Sequence, residues 1–297
     1  MNQKDSILTY SALTGAVIIW GLSFISTKII LSSFTVGTYI SIRFFLAAVT
    51  FFFICLKKGF PRYSRQTNKK LFLLSLFQPF LYFFFETTGL SRTTASIASL
   101  LIAIIPVVVL VIARIFIKEK ISRKKIFGII LSFIGILLLV TGGTKITHGE
   151  SGSIVGNLLI LGAVFSAAFY IVLGRNLGEE VSSFHLTASQ IFYGALFFFP
   201  FFFFDLTSMD WSQVTTVSIG ALCFNVFCST LGAFLLYNYG LTRLTASKTS
   251  LFLNAIPLVT ALGAWAVLGE TLTFFQIGGG ALVVLSVVLT SFTRRST

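Results

Sequence analysis

Long apolar runs alternate with short polar intervals along the whole chain. Ten of these runs approach the roughly 20 residues that a membrane-spanning helix requires. They cover 10–31, 36–56, 71–90, 94–117, 125–141, 154–174, 184–204, 215–239, 246–268 and 274–292, numbered here as spans 1 to 10. The runs are too long for barrel strands and lack two-residue alternation, so helices are predicted. The widest polar interval, Lys57 to Lys70, covers 14 residues, too few for a soluble catalytic or nucleotide-binding domain.

The pattern also repeats. The stretch from Gly89 to Pro106 returns 151 positions later as Gly240 to Pro257, with ten of 18 positions identical. The same offset pairs Glu119 with Glu270 and Gly128 with Gly279. An offset of 147 pairs Lys28 with Arg175 and Arg43 with Gln190. Self-similarity at a fixed period describes an architecture before any local reading does. Five spans per half is an odd number, so the second half must enter the membrane upside down. The prediction is an all-α polytopic membrane protein of ten transmembrane helices. Two inverted five-helix repeats, residues 1–147 and 148–297, would surround a central cavity. Inverted repeats with a site near the bilayer midplane are a recurring plan of secondary transporters; the alternative is a duplication retained only for folding.

Composition fixes the solvent. Apolar residues make up 56% and charged residues 10%, against about 25% charged in an ordinary globular chain, so the lipid bilayer is the expected partner. A net charge of +13 would admit nucleic acid, but the basic residues sit in short loops rather than on one solvated face, and no nucleic-acid partner is predicted. Sixteen of the 22 Lys and Arg residues fall in one set of loops and two, Arg92 and Lys145, in the other. That bias puts both termini in the cytoplasm of a multi-pass protein of the cell (inner) membrane, with span 1 retained rather than cleaved.

Catalytic signatures are missing. The chain has neither a phosphate-binding loop nor a zinc-protease motif. Cys55, Cys223 and Cys228 show no metal or redox spacing, so they read as small core hydrophobes. No cofactor, metal or catalytic residue is predicted, and the chain is not expected to be an enzyme. His148 and His185 read as solvated.

Charge inside the spans is the sharper signal. A charged side chain at the bilayer centre costs about 2.5–3.5 kcal/mol on insertion scales, so it is paired, snorkelled or functional. Lys28, Arg43 and Glu86 share a depth near the outer ends of spans 1, 2 and 3. They are candidates for a gating charge pair, with Glu86 meeting Arg43 or Lys28; the alternative is a structural Arg43–Glu86 pair beside a snorkelling Lys28. Gln78, Tyr82 and Glu86 recur every four residues, hence on one helical face. An amide, a phenol and a carboxylate suit a cavity wall better than lipid. Trp20, Phe24 and Lys28 share the same spacing in span 1.

Pro79, Pro106 and Pro257 fall inside spans, where each removes a backbone donor and loosens the helix, making them candidate hinges. Asn254 replaces the Ala103 of the first copy, and its amide is a candidate substrate contact or a helix–helix contact. The substrate-binding set is therefore Trp20, Arg43, Gln78, Tyr82, Glu86, Gln190 and Asn254. Gly128, Ser132 and Gly135, with Gly278, Gly279 and Gly280, form small-residue surfaces for close helix packing, within the chain or in a homodimer.

These residues carry a family resemblance. Trp20-Gly21-Leu-Ser-Phe24 with Lys28, Arg43-Phe44, the Gly89–Pro106 stretch with its copy, and a Glu after spans 4 and 9 resemble the drug/metabolite transporter superfamily, EamA type. The resemblance covers essentially the whole chain. It implies ten helices in a basket and alternating access, with no enzymatic activity. It leaves the substrate open: export of amino acids or related small metabolites leads, with drugs, nucleotides or sugars as the alternative, and a channel or intramembrane enzyme further behind. The small four-helix multidrug members carry a Glu in their first span; span 1 here has none, so their proton coupling does not transfer.

Overall fold

The computed structural model describes residues 3–60, 62–117, 123–141, 153–178 and 180–291. Among these residues every regular element is helical. Eight helices among them are long and apolar enough to cross a membrane: Asp5–Leu31, Val36–Lys58, Arg65–Leu90, Ala95–Phe116, Ile154–Leu177, Ser183–Asp205, Thr216–Leu241 and Ala246–Leu268. They stand where spans 1 to 4 and 6 to 9 were predicted. A helix at Arg123–Thr141 occupies the place of span 5, and the shorter apolar helix Phe274–Ser286 lies within that of span 10. Glu119 and His148 lie outside the described residues. His185 is not simply solvated: its Nδ1 lies 2.7 Å from Tyr63 Oη, and burial pushes the Tyr63 phenol above its ordinary value.

Four of the spans are interrupted near their middles, for traceable reasons. Span 3 breaks at Gln78, whose φ of −143° and ψ of 116° are extended. Pro79 follows it and offers no N–H to continue the ladder. Span 4 opens into a turn at Ala103 and Ile104, just before Pro106. Span 9 tightens into a 3₁₀ segment at Phe252–Ala255, just before Pro257. Span 8 has no proline, yet Phe224–Ala233 is wound wide; Thr230 Oγ1 donates to Asn225 O, five residues back, at 2.8 Å. Pro200 behaves differently and sits inside the continuous helix Ser183–Leu206.

The extensive helix contacts join one half of the chain to the other. Span 1 packs on spans 8 and 9, span 2 on span 7, span 3 on span 6, span 4 on spans 6 and 9, and the Arg123–Thr141 helix on Phe274–Ser291. The duplicated glycines sit at two of these crossings. A Cβ on Gly89 would lie 2.8 Å from Gly156 O and 2.9 Å from Ile160, and one on Gly240 would lie 2.4 Å from Leu13. Gly135 does the same against Gly279 O at 2.8 Å, so that stripe is taken up within the chain, whereas Gly278 faces open space. Large apolar side chains such as Phe116, Phe204, Trp265 and Phe274 face outward, the arrangement a lipid solvent selects.

Candidate functional site

The broken spans 3, 4, 8 and 9 meet spans 1 and 6 around a cavity half-way along their length. It is lined by Trp20, Ser23 and Phe24 of span 1, Gln78, Tyr82, Phe83 and Glu86 of span 3, and Ile102 and Ile105 of span 4. The other half supplies Ala167, Ile171, Ser229, Phe234, Tyr237, Leu253 and Ile256. Its free volume is ≈ 30 Å³, so the cavity is narrow in this conformation. Trp20 fixes one wall: its Nε1–H donates to Ser229 O at 3.3 Å, and its ring lies 4.9 Å from that of Tyr237.

Glu86 is the acidic member of this wall. It is buried, and its carboxylate accepts from Thr87 Oγ1 at 2.9 Å. Tyr237, also on the wall and buried, has a hydroxyl without a hydrogen-bond partner among the described residues. Arg43 lies behind Phe83, whose ring centroid is 4.4 Å from the guanidinium carbon. Each Arg43 nitrogen is engaged: Nε donates to Thr230 Oγ1 at 2.7 Å, Nη1 to Tyr39 Oη at 2.9 Å and Nη2 to Ser229 Oγ at 3.0 Å. Asn225 extends this network by donating to Tyr39 Oη and Thr27 Oγ1 at 2.9 and 3.1 Å.

Gln190, which the sequence pairs with Arg43, does the corresponding job on the other side. Its Nε2 donates to Gln78 O at 3.1 Å, at the break of span 3, while Oε1 accepts from Asn238 Nδ2 at 2.7 Å. The hydroxyl of Tyr170 donates to Asn238 Oδ1, and Asn238 Nδ2 donates also to Thr187 Oγ1 at 2.9 Å. In each half a polar residue of the second span thus satisfies backbone or hydroxyl groups at the irregular middle of the other half's third span. Such groups would otherwise be costly in a bilayer.

The cavity therefore gathers Trp20, Gln78, Tyr82 and Glu86, and leaves Arg43 and Gln190 one layer behind it. Asn254 is not on the wall; it is half-buried, with its carbonyl oxygen unpartnered among the described residues. Lys28 donates to Leu90 O and Thr93 O at 3.2 and 3.0 Å. Lys28, Arg43 and Glu86 form no ion pair with one another here. The ion pair among the described residues is Lys70–Glu180 at 3.1 Å, on the surface. Pro79, Pro106 and Pro257 each stand at a break. Ser229, Tyr237, Phe83 and Phe234 went unpredicted on the wall, as did Asn225 and Asn238 behind it. The available signal was the 151-residue offset, which carries Gln78 to Ser229 and Glu86 to Tyr237.

Known proteins match this chain over most of its length. The profile of the EamA-like transporter family matches twice, at residues 7–141 and 154–292. An uncharacterized transporter of Archaeoglobus fulgidus is 31% identical over 295 residues, covering 98% of each chain. The uncharacterized transporter YetK of Bacillus subtilis is 25% identical over 294 residues, covering 98% of this chain and 89% of its own. A protein crystal structure superposes with a TM-score of 0.66 at 14% identity, covering 97% of this chain and 96% of that one. At that identity it bears on the fold alone.

Proposed function

The chain belongs to the EamA-like transporter family, and from that premise we propose that it is a secondary transporter of small metabolites. It works by alternating access, with export of amino acids or related amines as its function. The ten spans form two inverted repeats in the cell membrane, with both termini in the cytoplasm. One observation carries this reading: the cavity wall is itself duplicated. Trp20 and Ala167, and Phe24 and Ile171, are related by the 147-residue offset. Gln78 and Ser229, Phe83 and Phe234, Glu86 and Tyr237, Ile102 and Leu253, and Ile105 and Ile256 are related by 151. A site built from matched positions of two repeats sits on their symmetry axis, where exchanging the repeats' conformations turns the opening from one side to the other.

The chemistry of the wall supports the substrate class. A carboxylate among Trp20, Tyr82, Phe83, Phe234 and Tyr237 suits an ammonium group, which gains both charge pairing and attraction to the aromatic faces. Tyr237 Oη offers a second hydrogen bond. Arg43 holds Thr230, Tyr39 and Ser229 and serves the scaffold in this state; pairing with a substrate carboxylate would require it to leave those partners.

The test is counterflow in proteoliposomes. Vesicles loaded with a mixture of amino acids and simple amines should take up labelled members of that mixture in a saturable, trans-accelerated manner. Flux linear in the gradient without exchange would identify a channel. Absence of exchange for every amino acid and amine, with folded protein, would eliminate this substrate class and turn attention to drugs, nucleotides or sugars.

A further inference from the structure

Glu270 bridges the two halves at the end of the molecule where spans 1 and 3 finish. It follows span 9 directly after Gly269, whose left-handed φ of 67° turns the chain. Its carboxylate accepts the backbone N–H of Ala95 at 2.8 Å and of Ser96 at 2.9 Å, and the Ser96 hydroxyl at 2.8 Å. Those amides open span 4, where backbone donors lack intrahelical partners and the helix dipole favours negative charge. Ala95 and Ser96 are 0% and 3% exposed. Two further links cross the halves here: Thr93 Oγ1 donates to Asn157 Oδ1 at 2.6 Å, and Ser153 N donates to Arg92 O at 2.9 Å.

The duplication supplies a second copy of this turn. Span 9 opens with Thr245, Ala246 and Ser247, the same three residues that open span 4 as Thr94, Ala95 and Ser96. Spans 4 and 9 pack antiparallel, the start of each beside the end of the other. Both threonines cap their helices, Thr94 Oγ1 accepting from Ile97 N and Thr245 Oγ1 from Lys248 N. The carboxylate that the 151-residue offset pairs with Glu270 is Glu119, which lies outside the described residues, and Ser247 is exposed.

We propose that Glu270 is a releasable latch between the halves. Bound to Ala95 and Ser96 it holds that end shut; released, it opens the cavity to that side. The inference rests on the alternating-access reading. The turn before Pro106 and the 3₁₀ segment before Pro257 lie between the latch and the far end of the same two spans. Bending there moves the latch without disturbing the opposite end. A purely structural cap would act otherwise: its loss would lower stability without favouring either face.

The experiment reads sidedness. Cys55, Cys223 and Cys228 are replaced by alanine, and Ser23→Cys in the cavity wall reports access to an impermeant maleimide applied to each face of proteoliposomes. Ser91→Cys identifies the latch face. Glu270→Gln keeps the shape but loses the charge-assisted bonds, which are about twice as strong as neutral ones. The labelling ratio, latch face to opposite face, should rise about tenfold. Ser96→Ala, lacking one of the three bonds, should shift it the same way by less. An unchanged ratio for both variants in monodisperse protein, or a shift toward the opposite face, would overturn the latch. If Glu270→Gln does not fold, Ser96→Ala decides alone. Labelling needs no substrate, so a failed latch with working counterflow, or the reverse, tells the two proposals apart.

Discussion

Arg43 and Glu86 are both buried charges, and the structure gives them opposite duties. Arg43 satisfies three hydroxyls drawn from spans 2 and 8. Replacing it with leucine removes a donor from each and takes from Ser229 Oγ its bond to Arg43, while Tyr39 and Thr230 keep their bonds to Asn225; a buried group left unsatisfied costs about 1–3 kcal/mol. Arg43→Leu should therefore lower the thermal unfolding temperature in detergent, by the equivalent of about 2–4 kcal/mol. Glu86 makes one neighbouring contact, with Thr87, which an amide oxygen also accepts. Glu86→Gln should keep the unfolding temperature and reduce amine exchange at least tenfold, since loss of a buried charge partner costs about 2–5 kcal/mol in binding. Equal exchange by wild type and Glu86→Gln would remove Glu86 from the site. That both residues matter was legible from charge inside an apolar run. Which of them faces the cavity was not, because helix rotation is set by tertiary partners such as Ser229 and Thr230.

The helices themselves show which signals are local. Proline is a local signal, and the breaks near Pro79, Pro106 and Pro257 could be read from the chain. Pro200 shows its limit, because the helix runs straight through it. The wide winding of Phe224–Ala233 had no proline to announce it; its cause is a side chain, Thr230, bonded five residues back while holding Arg43 from another helix. Gly240 is a clearer element-scale position. It lets span 8 cross span 1 so closely that a Cβ would lie 2.4 Å from Leu13 Cδ2. Gly240→Val should force the two spans apart at a cost of about 1–3 kcal/mol, the usual penalty of overpacking. Thermal unfolding of the variant in detergent checks this, and a companion Leu13→Ala change should restore part of the loss by opening space.

At the scale of the whole molecule the two halves are not separate bodies. Spans 1, 2, 3 and 4 find their main partners among spans 6 to 9, so the repeat boundary in the sequence is not a boundary in packing. This is why the periodicity revealed the duplication while the cavity's far wall stayed out of sight: Tyr237 and Phe234 reach Trp20 only through contacts about 210 residues apart, as the Trp20–Ser229 bond illustrates with its separation of 209. The proposed inversion makes a prediction that owes nothing to substrate. The turns after Gly89 and Gly240 are copies, and a parallel duplication would put them on one face of the membrane. Two inverted halves put them on opposite faces. Ser91 and Arg243 are exposed in these turns. In a cysteine-free chain, Ser91→Cys should react with an impermeant thiol reagent only from the outer face, and Arg243→Cys only from the cytoplasmic face. Labelling of both from one face would rule out the inverted arrangement, and with it the symmetry axis through the Glu86–Tyr237 cavity.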